Sequence, residues 1–277
     1  MALTTSSANA AFLSTDVGDL LVRPALAASI AAQVSTVIST GGNTFHIPVI
    51  AADPTAAWTP EGTEIAPSDA TLAEVVVTPL KIAGLSIISR ELAEDTSPEA
   101  AQIVGDGLAR DIARKIDQAF FANTTTNGPS GLLSLASSTS AEAATSFSTL
   151  DSLAGALFTA EGLGALVTSF VTSPTEALAL STLKEATGST KPLLTSDVTT
   201  PTSRTVYGRP LLVSSAINAK TAWAIPQDRV FLVVRSDARV EIDKSVFFTS
   251  DRVAVKATMR VGFGFAHPQA IVKITHA

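Results

Sequence analysis

Apolar residues recur at every fourth position through Val104, Leu108, Ile112, Ile116 and Phe120, which is the spacing of one face of an α-helix. The pattern predicts a helix from about residue 96 to Asn123. A capping box of Thr96 and Glu99 opens it, with Pro98 in the first turn, where proline is tolerated. About 25 residues at ~1.5 Å each make roughly 37 Å, against a usual length of ~11–12 residues, so the helix reads as a structural beam. Asp106/Arg110 and Asp111/Lys115 stand at i,i+4 spacing on its wet side.

Before the beam, Asp19 opens a second helical pattern with Leu20, Leu21, Ala25, Ala28 and Ile30, and Gly41-Gly42-Asn43 marks a turn. Phe45, Ile47, Val49 and Ile50 form a short extended segment, and residues 81–89 read as a strand. Beyond the Asn127-Gly128-Pro129 turn, 134–148 reads as loop, 150–160 as helix and 165–172 as buried strand. A second capping box, Ser173 and Glu176 around Pro174, starts a helix expected to run until Gly188 stops it. After a loop over 189–205, strands are expected at 211–214, 229–234, 238–242, 253–265 and 270–274. The class is α+β, with no 20–50 residue internal repeat.

Residues 51–80 stand apart. They hold Pro54, Pro60, Pro67 and Pro79, and five acids (Asp53, Glu61, Glu64, Asp69, Glu74) without a lysine or arginine. Four prolines exclude a continuous helix, and the best reading is a long two-stranded excursion returning along 73–78. Such a loop, with Trp58 near its tip, either rests on something or is a mobile surface loop.

Composition narrows the class. The 277 residues are 46% hydrophobic and only 16% charged, against a usual ~25% charged, so the chain either spans a membrane or covers much of its surface with other subunits. No apolar run reaches the ~18 residues a spanning helix needs, and nothing basic precedes Arg23, which argues against a signal peptide. Without cysteine there is no disulfide, thiolate metal site or Cys nucleophile. The formal charge of −6 opposes dedicated nucleic-acid binding. Residues 1–200 carry −12 and residues 201–277 carry +6. That asymmetry suits contacts between copies, or neutralisation within one subunit. Residues 1–16, rich in Ala, Ser and Thr, read as a loose arm.

Catalytic signals are missing. His46, His267 and His276 have no zinc-ligand spacing, and each reads as a surface or packing residue. No nucleophile elbow, phosphate-binding loop or dinucleotide fingerprint occurs. Gly262-Phe263-Gly264 lies in a strand pattern and reads as a bend or a close-packed strand. The sequence therefore predicts no enzyme, no cofactor and no metal.

Four groups of residues, in order along the chain, resemble the major capsid proteins of tailed bacteriophages, the Hong Kong 97 type. They are Ala57-Trp58-Thr59-Pro60-Glu61-Gly62 with Ser68-Asp69-Ala70-Thr71-Leu72, and Pro79-Leu80-Lys81-Ile82-Ala83-Gly84 with Ser89-Arg90-Glu91-Leu92 and Asp95. The third is Ile112 to Phe120 with Asp117, then Gly128-Pro129-Ser130-Gly131-Leu132-Leu133. The fourth is Phe247-Phe248-Thr249-Ser250-Asp251, Arg260-Val261-Gly262 and His267-Pro268-Gln269-Ala270.

The resemblance implies an N-terminal arm (1–50), an extended loop (51–80), a peripheral domain with a spine helix near 96–123 (81–131 and 236–277), and an inserted axial domain (132–235). It implies pentamers and hexamers that close into an icosahedral shell around double-stranded DNA, assembled in the host bacterial cytoplasm and kept in the virion. Portal and decoration proteins are the expected partners, with a separate scaffolding protein or none, since the match begins almost at the start. Some members cross-link subunits through a lysine on the extended loop and a partner asparagine. Residues 51–80 hold no lysine and no asparagine follows Asn218, so no such bond is expected.

A non-covalent clasp is expected in its place. Glu61, Glu64 and Asp69 would lie over a neighbour's basic surface, drawn from Arg90, Arg110, Arg114, Arg252, Lys256 and Arg260, with Trp58 as the apolar anchor. An encapsulin-type nanocompartment shares the fold and encloses protein cargo, and a hydrolase built on the many Ser and Asp residues stands as the rival of another class.

Overall fold

The computed structural model describes residues 29–89, 99–142, 147–185, 189, 192–194 and 204–276. The expected loose arm, Asp19 with most of its helical pattern, Arg90, Thr96, Pro98 and Gly188 lie outside the described residues.

The elements run α1 (Ile30–Val34), β1 (Thr36–Thr40), β2 (Phe45–Ala52), β3 (Thr71–Val77), β4 (Leu80–Ser89) and α2 (Glu99–Phe121). They continue with β5 (Thr139–Glu142), α3 (Asp151–Gly162), β6 (Ser169–Thr172), α4 (Pro174–Thr182), β7 (Thr205–Val206), β8 (Arg209–Val213), β9 (Thr221–Ile225), β10 (Val230–Phe247), β11 (Arg252–Phe265) and β12 (Val272–His276). Among the described residues three sheets form. One is four-stranded in the order β1-β10-β11-β4, one six-stranded in the order β5-β12-β9-β6-β8-β7, and β2-β3 form a separate ladder.

The spine forms as its pattern requires. Ile112, Ile116 and Phe120 of α2 are buried against Ala257, Met259, Val261 and Phe263 of β11, and Phe120 meets Phe263 edge-on with centroids 5.2 Å apart. The expected Asp111–Lys115 pair does not form: Lys115 Nζ donates instead to Gln118 Oε1 at 3.4 Å. Asp117, in the helix's last two turns, is turned inward. Its carboxylate accepts from Ser29 Oγ at 2.6 Å, Ala31 N at 2.9 Å and Ile30 N at 3.2 Å, tying the start of α1 to the spine. The far end of α2 is closed by the returning chain. Gly131 N donates to Asn123 O and Leu133 N to Ala122 O, both at 3.1 Å, satisfying carbonyls the helix leaves open.

The six-stranded sheet packs with α3 and α4. Ser173 caps α4 by accepting from Glu176 N at 3.3 Å, as its position predicts. The Glu176 side chain does not close the capping box. It turns into the core, accepts from Lys220 N at 3.2 Å and lies 3.0 Å from His276 Nε2, approached obliquely. Phe147 meets the His276 ring edge-on. His276 is thus a packing residue that fastens β12 to α4.

Several sequence expectations are corrected. The 134–148 loop contains β5, which pairs in parallel with β12. The strand β9, whose five residues are all buried, is not anticipated by the sequence pattern. The helix expected to reach Gly188 ends at Thr182, with Leu183 as its C-cap. The strands expected at 229–234 and 238–242 are one strand, β10, with a register shift between Arg235 and Arg239. Residues 235 and 236 both lie within β10, and β12 belongs to the six-stranded sheet.

Gly262 and Gly264 lie where the base of the β2–β3 ladder crosses β11. A Cβ on Gly264 would stand 2.6 Å from Ile47 Cδ1 and 2.8 Å from Val77 Cγ2, and one on Gly262 would stand 2.7 Å from Val77 Cγ1. Of the two expected readings, the close-packed strand is the one observed. Ile47 and Val77 are buried there with Val233, so a Gly264→Ala substitution overpacks a filled site and should cost about 1–3 kcal/mol. Adding Ile47→Val removes the Cδ1 methyl and should recover part of the loss. Thermal denaturation of the two variants checks this, and a Gly264→Ala melting temperature equal to wild type would contradict it.

Candidate functional site

The most exposed feature is the excursion between β2 and β3. The ladder pairs Phe45 with Val77 through to Ala52 with Thr71, and residues 53–70 then continue as a loop whose every residue is exposed. Its hydrogen bonds are internal. Thr63 N donates to Pro60 O at 3.2 Å across a turn where Gly62 has φ +81°, and Ser68 Oγ donates to Thr55 O at 2.9 Å between the two limbs. Trp58 is fully exposed and Ile65 is 77% exposed. Glu61, Glu64 and Asp69 are exposed with them, and no cation lies in the loop. At the base His46 Nδ1 lies 3.1 Å from Glu74 Oε2, in solvent.

The basic candidates do not form one surface. Arg110 and Arg114 are exposed on α2. Arg252, Lys256 and Arg260 are four residues apart on β11, hence on one side of the strand, while Ala257, Met259 and Val261 on the other side face α2. The sheet therefore separates the two groups. Lys256 is already paired with Glu241 across the β10–β11 ladder, and Arg260 is half-buried and engaged within the chain. On β10 the exposed Asp243 carboxylate is held below its usual range, first by the Ser245 hydroxyl at 2.6 Å and then by Ser245 N at 2.7 Å.

Sequence reasoning missed the apolar neighbours of that basic row. Leu85 and Ile87 of β4 are 60% and 43% exposed. They pair in register with Lys256 and Ala254, on the side of the sheet away from α2. The signal was present in the alternation of 81–89, read only as a strand.

Two cavities lined by described residues lie near these elements. A groove of about 580 Å³ lies between β4, α2 and the 124–129 turn, with Leu80, Ile82, Leu108 and Ile112 in its lining and Asp111 and Lys115 beside them. A hollow of about 410 Å³ under the ladder base is lined by His267, Arg229 and Asp53 among others. Among the described residues no three His, Cys, Asp or Glu side chains converge as metal ligands, and no helix is long and apolar enough to cross a membrane.

The whole fold has counterparts. The capsid of an empty GTA particle, computed with C5 symmetry, superposes with TM-score 0.77 at 19% identity over 90% of each chain. The capsid of the native GTA particle gives 0.74 at 21%, and Mycobacterium phage Adephagia 0.74 at 18%, each again over 90% of both chains. At those identities the likeness is one of fold. No curated protein matches the sequence. The phage capsid family matches residues 10–276, nearly the whole length. The chain therefore belongs to the phage capsid family, a structural protein of the phage shell rather than an enzyme.

Proposed function

We propose that the chain is the major subunit of an icosahedral shell of the Hong Kong 97 type, built from pentamers and hexamers around double-stranded DNA. Assembly would take place in the host bacterial cytoplasm, with scaffolding, portal and decoration proteins as partners. The observation that carries this reading is the loop at 53–70. It is fully exposed, acidic and free of cations, and it presents Trp58 and Ile65 to solvent, apolar surface that a neighbouring subunit would cover. A subunit of net charge −6 suits a container that holds its genome without binding it tightly.

The contacts in this reading are non-covalent. Each charged pair at an interface rim is worth about 0–1 kcal/mol, yet repetition around a closed shell multiplies it. Charge reversal by Glu61→Lys with Glu64→Lys should weaken assembly most at low salt, because screening mutes the wild-type attraction as salt rises. Light scattering across a salt series reads the effect, and assembly equal to wild type at every salt concentration would count against the clasp. Mature particles on a denaturing gel should run as single subunits. A ladder of covalent multimers would contradict the absence of the cross-link.

A further inference from the structure

We infer that Asn127 is a latent site of deamidation, and that the turn after the spine helix holds it unreacted until that turn opens. The site is independent of the shell reading above. The chain has five asparagines, Asn9, Asn43, Asn123, Asn127 and Asn218, and only Asn127 is followed by glycine. The group that attacks an asparagine amide is the next backbone nitrogen, and a glycine leaves that nitrogen without a side chain to shield it. Asn127 is exposed, so water and hydroxide reach its amide.

The chemistry needs only water. Gly128 N gives its proton to hydroxide and bonds to Asn127 Cγ. The Cγ–Nδ2 bond breaks, and the nitrogen leaves as ammonia. The cyclic imide then takes up one water. Cleavage of its Cγ–N bond gives aspartate, and cleavage of its backbone C–N bond gives isoaspartate, with the chain rerouted through Cγ. Nothing is oxidised or reduced.

Two features of the turn oppose the first step. Asn127 has φ +57°, in the left-handed region, where ψ is about +47°. There Gly128 N lies anti to the Asn127 Cβ, and ring closure needs it to swing to the same side. Gly128 N–H is also engaged, donating to Thr125 O at 2.9 Å. The turn is tight, since a Cβ on Gly128 would stand 2.8 Å from Thr125 Cγ2. It is spanned in turn by the Gly131 N–Asn123 O and Leu133 N–Ala122 O bonds that close α2. Reaction therefore waits on a local opening of the spine's end, and it is one-way. Either product adds a negative charge to the groove that Asn127 shares with Asp111 and Lys115. Isoaspartate also lengthens the backbone between Asn123 and Gly131, whose bond closes the helix.

The test follows all five asparagines of the full-length chain by mass spectrometry of its digested peptides, with aspartate and isoaspartate separated by chromatography. One sample is incubated folded at mildly alkaline pH and another at the same pH in urea. In urea Asn127 should convert first, with isoaspartate among its products. A different asparagine converting first would overturn the site. In the folded sample Asn127 should convert at least about tenfold more slowly, because only the opened fraction reacts. Equal rates would overturn the protection. Hydrogen exchange at the Gly128 amide, read on the same folded sample, should be slowed as well. A Gly128 amide that exchanges freely while Asn127 stays intact would show that the turn is not what holds it. Asn127→Gly keeps a residue suited to positive φ and removes the amide. It should leave the melting temperature unchanged and abolish the conversion, and the same mass gain in that peptide would assign the reaction to another residue.

Discussion

Gly131→Ala is expected to be among the most damaging single substitutions in the chain. The backbone at Gly131 has ordinary dihedrals (φ −104°, ψ −166°), so the requirement is for space rather than for a left-handed conformation. A Cβ there would stand 2.5 Å from both Phe120 O and Ala122 O, and would also press on Ala119 O. All three are backbone atoms at the end of α2, next to the buried Phe120 and Phe121, and none can rotate away. Relief requires the returning chain to lift off, which breaks the Gly131 N–Asn123 O and Leu133 N–Ala122 O bonds that close the helix. The loss should approach about 4 kcal/mol, among the largest that single substitutions produce. At about 2–4 °C per kcal/mol that corresponds to a melting temperature lower by roughly 10 °C. Gly41→Ala is the control. No atom lies within 4 Å of a Cβ there, and the change should be neutral. A Gly131→Ala subunit as stable as the Gly41→Ala one would show that the helix end yields.

Asp117→Ala should cost about 3 kcal/mol, because one carboxylate serves three donors: the Ser29 hydroxyl and the backbone N–H groups of Ile30 and Ala31. Ser29 and Ala31 are buried, so water cannot replace the lost acceptor without opening the contact. Asp117→Asn should be milder, since an amide keeps one acceptor oxygen and loses the charge. Ser29→Ala removes one donor together with its need, and should cost about 1 kcal/mol. Ser29→Ala and Asp117→Ala act on one cluster, so their combined loss should fall short of the sum. Urea denaturation of the four proteins tests this, and additive losses would mean the carboxylate and hydroxyl act independently.

The legible parts of this fold are those in which local period and tertiary demand agree. The spacing-four row of α2 lies inward as its pattern implies, and the helix ends within two residues of the expected Asn123. The excursion at 51–80 was visible because four prolines and five acids leave no other local structure. The missed elements depend on distant partners. Thr139–Glu142, sequence TSAE, has the composition of a loop and is a strand because β12 pairs with it from 134 residues away. Thr221–Ile225 is buried on both faces and shows no alternation to read.

The side chains of the candidate site divide the same way. Ser173 was recognised as a cap from its neighbours alone. The diversion of Glu176 depends on Lys220 and His276, which local spacing does not reveal. Arg252, Lys256 and Arg260 announce a common face by their period. That Arg110 and Arg114 lie across the sheet from them follows only from which side of β11 the helix covers. Asp117 belongs to the residues that carry the family resemblance, and its bond to Ser29 depends on a partner 88 positions away.

The most direct test of the central claim is electron microscopy of the purified full-length chain, with absorbance of the same fraction to detect nucleic acid. Closed angular shells are the predicted result, filled with DNA when the particles are native. Shells carrying protein cargo in place of DNA would contradict the genome container, and a chain found only as small discrete species would contradict the shell.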